Sequence, residues 1–185
     1  MLLLAFAVPD DGPLLDRTIT RATQGDAGAL EELYRQTRTA VYGFALSLCR
    51  NAQDAEDVLQ DVYIRVYQAA GGYRPQGKPL AWLFTITRHL ALMRLRERGK
   101  TDVVSPEDWQ EAFADAAAVT PDDRLVLQAV LTRLSDEERQ IVMLHAVAGM
   151  KHREIAGLLE HPLPTVLSKY HRAIKKLKTA MEEDS

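Results

Sequence analysis

The chain has a single cysteine in 185 residues, Cys49, so it can build neither a disulfide framework nor a cysteine-based zinc site. Set in an apolar run, Cys49 reads as a small buried hydrophobe. No apolar run approaches the roughly 20 residues that cross a bilayer. The N-terminal run Leu2–Val8 is too short, and it lacks the basic flank and small-residue cleavage site of a signal peptide. A cytoplasmic protein is expected, with this run either a frayed tail or a segment that docks a partner. Strand alternation with hairpin turns, internal repeats and low-complexity tracts are all missing. So are Walker A, HExxH and GxSxG patterns. His145, His152, His161 and His171 have no carboxylate or cysteine at ligand spacing, and His152-Arg-Glu154 lacks the paired cysteines of a deaminase. Neither an enzyme nor a bound metal, cofactor or small-molecule substrate is expected. The net charge, −3, argues against indiscriminate coating of nucleic acid.

What the chain has instead is uneven charge. Residues 65–100 carry Arg65, Arg74, Lys78, Arg88, Arg94, Arg96, Arg98 and Lys100 against one acid, Glu97. Residues 102–123 carry seven acids and no base. Such asymmetry says more about partners than the total does. Apolar spacing is helical almost throughout. A weak helix is expected over Leu14–Thr23 and a long one from an N-cap at Asp26, with Asn51 as its stop. A third is expected from about Asp54 to Ala70, ended by Gly71-Gly72, and a fourth from about Leu80 to Arg98. The two prolines and glycine of Tyr73–Pro79 mark a loop. The fold class is all-α: two small helical domains, residues 14–99 and 122–180, joined by an acidic flexible linker, 100–121, with tails at 1–13 and 181–185. In the linker, Trp109 and Phe113 are available to touch a partner.

The second domain ends in the most informative stretch. Ser135-Asp-Glu-Glu138 is a capping box that starts a helix at Asp136, and Gly149 ends it. A short helix, His152–Leu159, and a last helix, Pro164–Thr179, follow. From Thr165 to Lys178 there are five basic residues and no acid. Val166, Tyr170, Ala173, Ile174 and Leu177 share one face and should pack on Ile155, Ala156 and Leu159. The other face presents Thr165, Ser168, Lys169, Arg172, Lys175 and Lys176. A short helix, a turn and a basic second helix are the parts of a helix-turn-helix, whose second helix enters the major groove. There hydroxyls and cations bond phosphates, and Lys or Arg can read guanine edges. The alternative is a solvated amphipathic helix; the turn, small Ala156 and the absence of acids favour DNA.

The pattern REIAGLLEHPLPTVLSKYHRAIKKL resembles the promoter-reading domain of bacterial sigma-70 family sigma factors of the extracytoplasmic-function (ECF) type. DAEDVLQDVYIRVY at 54–67 resembles that family's segment for gripping core RNA polymerase. LAWLFTITRHLALMRLRER at 80–98 resembles its promoter-melting and minus-ten-reading segment. The three motifs occur in the family's order and spacing, from about residue 20 to 178. Physically, Asp57, Gln60 and Asp61 project together from one helix face, an acidic and amide cluster suited to a basic protein partner. The resemblance makes that partner the clamp of the β′ subunit, with the β flap as a further contact of the polymerase. Tyr73, Arg74, Lys78, Trp82, Phe84 and Arg88 combine cations with aromatics, as a splayed single strand requires. The resemblance assigns them the non-template minus-ten strand, together with His89. Arg94, Arg96, Arg98 and Lys100 are the stronger phosphate contacts, and Trp82 and Phe84 fit the core as well as they fit the strand.

The chain departs from the family pattern at His89 and Met93, where Asn and Asp are common. It departs also at Glu160 and Pro164, where Gly is common, and at Lys169, where Arg is frequent. Lys lacks the bidentate fork of Arg, which puts guanine reading at Lys169 in doubt. The resemblance further implies duplex minus-thirty-five DNA as a partner, and an anti-sigma factor that holds the chain inactive, in some cases at the membrane. It also sends the acidic linker into the polymerase's RNA channel; a plain spacer is the simpler reading. A stand-alone helix-turn-helix regulator with a helical sensor domain is the competing function, and an adaptor protein a third. A sensor needs a ligand pocket where this chain has a clamp motif, and an adaptor has no need of two basic DNA faces.

Overall fold

The structure is a computed structural model that describes residues 12–99 and 132–183. The expected linker, Lys100, the leading apolar run and the start of the second domain at 122–131 lie outside the described residues. The elements are α1 (Gly12–Thr23), α2 (Ala27–Cys49), α3 (Ala52–Gln68), α4 (Pro79–Arg98), α5 (Asp136–Val142), α6 (His152–Leu159) and α7 (Leu163–Glu183). A π-helical turn, Met143–Val147, continues α5. Among the described residues there is no strand, and no helix is long and apolar enough to cross a membrane.

Local chemistry fixes the boundaries. The Asp26 side chain accepts the Ala29 N–H at 3.0 Å and starts α2. Asn51, expected to stop α2, instead caps α3 by accepting the Asp54 N–H at 2.9 Å. The stop falls one residue earlier, at Arg50, in the left-handed conformation (φ 52°) with its N–H on Leu46 O. A side-chain acceptor satisfies the orphan N–H groups of the next helix, not the carbonyls of the last one. The capping box forms as expected, with Ser135 Oγ taking the Glu138 N–H at 3.3 Å and Glu138 Oε2 taking the Ser135 N–H at 2.9 Å.

Helices α1 to α4 form one bundle. Phe44 of α2 and Phe84 of α4 stack with centroids 4.6 Å apart and planes 7° from parallel; both are fully buried. A burial of that kind contributes about 1.5–3 kcal/mol per side chain. Thr37 and Tyr63 join α2 to α3 by a buried hydroxyl pair at 2.7 Å. In the second unit Val166 packs with Ile155, Ala156 and Leu159, and Ala173 and Leu177 pack with Leu134 and Val142. The two units also meet. Ile141, Leu144, Val147 and Met150 belong to the same apolar cluster as the four-helix bundle. Arg50 Nε donates to Asp136 Oδ1 at 2.9 Å across the junction, and Lys78 pairs with Glu154.

Candidate nucleic-acid interface

Helix α3 shows its buried side through Ala55, Val58, Val62 and Val66, which leaves Asp57, Gln60 and Asp61 on the outer face. The two carboxylates are not simply solvated. Arg94 of α4 reaches both, with Nη1 2.9 Å from Asp57 Oδ2 and Nη2 3.3 Å from Asp61 Oδ2. Arg98 pairs with Asp54 in the same way. The helix continues with two large exposed side chains, Ile64 (52% exposed) and Tyr67 (47%). They follow Asp57 by seven and ten residues and so lie on its face. The acidic cluster alone does not point to them; their spacing from Asp57 is the signal in the sequence.

The loop and α4 distribute their expected strand contacts unevenly. Arg74, His89, Arg96 and Arg98 are exposed and Lys78 is half-buried. Phe84 is core. Tyr73 requires a correction: it is buried, its ring lies 4.6 Å from that of Trp82, and its hydroxyl donates to Asp16 of α1. Only its edge reaches the cleft beside Trp82, so it offers a base little stacking area. Burial first, and then the Asp16 carboxylate, push the Tyr73 phenol well above its ordinary range, so it stays a donor. Trp82 is half-buried, one side on Tyr73 and the other lining an open cleft of about 440 Å³ with Arg74, Lys78, Met150 and Glu154. Arg88 is half-buried, and its Nε is buried without a hydrogen-bond partner among the described residues. Burial lowers its pKa and nearby Glu160 opposes that shift.

The second unit carries the helix-turn-helix. Glu160 keeps the left-handed turn at φ 56° that the family's glycine would adopt without strain, at a cost of about 1–2 kcal/mol. The following N–H, from His161, reaches Ala156 O at 3.0 Å, so the modified turn still closes. On α7, Thr165 and Lys169 are half-exposed, and Ser168, Arg172, Lys175 and Lys176 are exposed. Lys169 pairs with Glu137, and Lys176 Nζ lies 2.7 Å from Glu138 Oε2. Burial pushes the Glu138 carboxyl up, but the bonds from Lys176 and the Ser135 N–H outweigh it and hold the group below its usual value. Arg172 and Lys175 have no ion pair among the described residues. With Arg133, a residue that no sequence motif singles out, they line an open basic cleft of about 450 Å³. Behind the basic face of α7, His145 and His152 stack at 4.2 Å and Tyr170 meets both edge-on. His145 Nδ1 bonds Met150 O at 2.8 Å, which ties the π turn to the start of α6. Among the described residues no group of three or more His, Cys, Asp or Glu side chains is placed to hold a metal.

Comparison with known proteins agrees with this layout. Residues 33–101 match the family model Sigma-70 region 2 and residues 124–177 match Sigma-70, region 4. The ECF RNA polymerase sigma factor SigE of Mycolicibacterium smegmatis is 35% identical over 87% of the chain and 66% of its own length. The ECF sigma factor SigK of Mycobacterium sp. strain KMS is 29% identical over 90% of each. Two solved structures share the fold with TM-scores of 0.56. One is CnrH in complex with the cytosolic domain of CnrY, 23% identical over 92% of this chain and 98% of that one. The other is the sigma factor RpoE of Bartonella quintana with the anti-sigma factor NepR, 25% identical over 80% and 93%. Two region models in order across most of the chain, on an all-helical fold with a basic helix-turn-helix, place it in the sigma-70 family of RNA polymerase sigma factors, among those of the ECF type.

Proposed function

We infer that the chain works as a sigma factor through three separate surfaces. The outer face of α3, with Asp57, Gln60, Asp61, Ile64 and Tyr67, receives the clamp of core RNA polymerase. The loop before α4 and the basic side of α4 take the non-template minus-ten strand. Helix α7 reads duplex minus-thirty-five DNA through Thr165, Ser168, Arg172 and Lys175, with Lys169 and Lys176 at its flank. The observation that carries this reading is the division of chemistry. The α3 face is acidic, amide and apolar, which repels phosphate and suits a protein, whereas the exposed faces of α4 and α7 are basic and suit DNA. Core polymerase supplies the catalysis, and this chain supplies promoter choice and strand opening in the cytoplasm, where the polymerase works.

The two promoter elements lie some 25 base pairs apart by their names, about 85 Å at roughly 3.4 Å per pair. Two units packed on each other cannot span that distance, so the packed arrangement is the form that precedes promoter binding. The chain between residues 99 and 132, at about 3.3 Å per residue, is long enough to let them part. An anti-sigma factor of the kind bound by the Bartonella relative would act by holding these faces closed or covered, and a membrane-bound one would hold the chain at the membrane. In vitro transcription with purified core polymerase tests the whole reading: promoter-specific initiation is expected, and failure of the native core enzyme to initiate with this chain would sink it.

A further inference from the structure

Helix α1 lies outside the matched region-2 segment, which begins at residue 33, yet it holds the loop that precedes α4. Asp16 is buried, at 7% exposure. Its Oδ1 accepts the Tyr73 hydroxyl, and its Oδ2 accepts the Gly77 N–H at 3.1 Å. These two bonds sit at the two ends of the loop, and residues 73–77 make no other hydrogen bond among the described residues. A third tie enters just upstream, where Gly71 N–H reaches Thr23 O at the end of α1, at 3.0 Å. Gly77 has φ 71°, a conformation that lets its N–H turn inward to the carboxylate. A buried carboxylate persists only where its lone pairs are used, and here both oxygens are spent on the loop.

We propose that Asp16 is a positioning residue for the minus-ten strand: by clamping Tyr73 and Gly77 it sets the path of the loop and so the spacing of Arg74, Lys78 and the open side of Trp82. This rests on the reading of the loop as the strand-holding element. The clamp explains the burial of Tyr73, which serves as the loop's internal post. It also explains how a segment with neither helix nor strand can present a defined surface, since rigid placement is what a splayed base requires.

The test uses holoenzyme assembled from the full chain and core polymerase. The probe is a fork-junction DNA with a fluorescein-labelled non-template overhang, its sequence chosen by wild-type holoenzyme from a pool randomised across the overhang. Asp16→Ala should weaken retention of the overhang about tenfold, because it frees both ends of the loop and loses the placement that the strand requires. Affinity for core polymerase and for duplex minus-thirty-five DNA should not change. In a Trp109→Phe background, where Trp82 is the one remaining tryptophan, Asp16→Ala should make Trp82 more open to acrylamide quenching. The double variant Asp16→Ala, Tyr73→Phe removes the stranded hydroxyl; it should regain thermal stability without regaining the overhang. If Arg74→Ala weakens the overhang and Asp16→Ala does not, the positioning role is wrong. If the double variant recovers stability and strand binding together, Asp16 is only structural and the proposal falls. Failure of wild-type holoenzyme to hold any overhang would instead overturn the strand reading, and the inference with it.

Discussion

The two basic faces of this chain use their acids differently. On α4, Arg94 and Arg98 are held by Asp57, Asp61 and Asp54, which belong to α3 and, at two positions, to the surface proposed to receive polymerase. On α7, Lys169 and Lys176 are held by Glu137 and Glu138, in the first turn of α5. The first set of pairs links one interface to another. The second links the reading helix to its own scaffold, with Glu138 buried and bound into a helix cap. It leaves Arg172 and Lys175 facing outward. On the proposed reading strand capture would be coupled to polymerase binding, since a basic clamp that competed for Asp57 and Asp61 would release Arg94 toward DNA. Duplex reading by α7 needs no such release.

The strongest way to break this contrast is at the shared carboxylates. Asp57→Ala with Asp61→Ala should weaken core polymerase binding by one to two orders of magnitude, about the range for close interfacial charge pairs. Duplex affinity at the α7 face should stay constant, since among the described residues Asp57 and Asp61 bond within the first bundle, to Gln53 and Arg94. Titration of labelled chain with core polymerase, beside a duplex gel shift, checks both halves. Equal loss of both affinities would refute the division of labour. The next effect belongs to α7. Arg172→Ala with Lys175→Ala should lower duplex affinity about tenfold and flatten its salt dependence by nearly two units of slope, close to one for each phosphate no longer neutralised. Polymerase binding should not move. An unchanged salt slope would mean that these two cations face solvent and not phosphate.

Much of this was readable in the residues, because the signals were local. The Asp26 cap, the Ser135–Glu138 box and the apolar stripe of α7 each act within a few residues, and the structure reproduces them. What was not readable depended on distant partners. Asn51 can end one helix or begin the next, and only the left-handed Arg50 decides between them. Tyr73 beside Arg74 looks like a stacking aromatic until a buried carboxylate 57 residues earlier takes its hydroxyl. Ile64 and Tyr67 carry the spacing of α3's outer face, but whether an apolar side chain is covered depends on what packs over it. The same holds for Arg94, whose two acidic partners sit 37 and 33 residues away.

A smaller effect separates folding from function in the second unit. Ser135→Ala removes the acceptor for the Glu138 N–H and half of the capping box, and should cost about 1 kcal/mol of stability. Denaturant unfolding of the full chain checks it. Asp57 and Asp61 join no helix cap, and their half-exposed pairs with Arg94 contribute little in water, so their replacement should move the unfolding midpoint less. A comparable loss from Asp57→Ala with Asp61→Ala would show that the α3 acids are scaffold as well, and the contrast between the two faces would dissolve.

The smallest expected effect is on pH dependence, and it tests whether α7 is held by its scaffold alone. His152 is held below its ordinary value of 6.5, by burial first and then by the nearby His145 and His171. Its Nε2 is buried with no acceptor among the described residues, and Tyr170 of α7 packs against its ring. Between that lowered value and 6.5 the unfolded chain binds more protons than the folded one, so stability falls as pH drops through this window and is full above it. Denaturation at about pH 7.5 and pH 5.5 should show a modest loss on acidification in the wild type. His152→Phe keeps a ring against Tyr170 and removes the titration, so that share of the loss should vanish. Acid loosening of the His145–His152–Tyr170 cluster would weaken duplex reading, because Tyr170 sits on the same helix as Arg172, while polymerase binding through α3 would persist. An identical pH profile for wild type and His152→Phe would remove histidine from the scaffold that holds α7 and leave the Glu137 and Glu138 pairs as its electrostatic support.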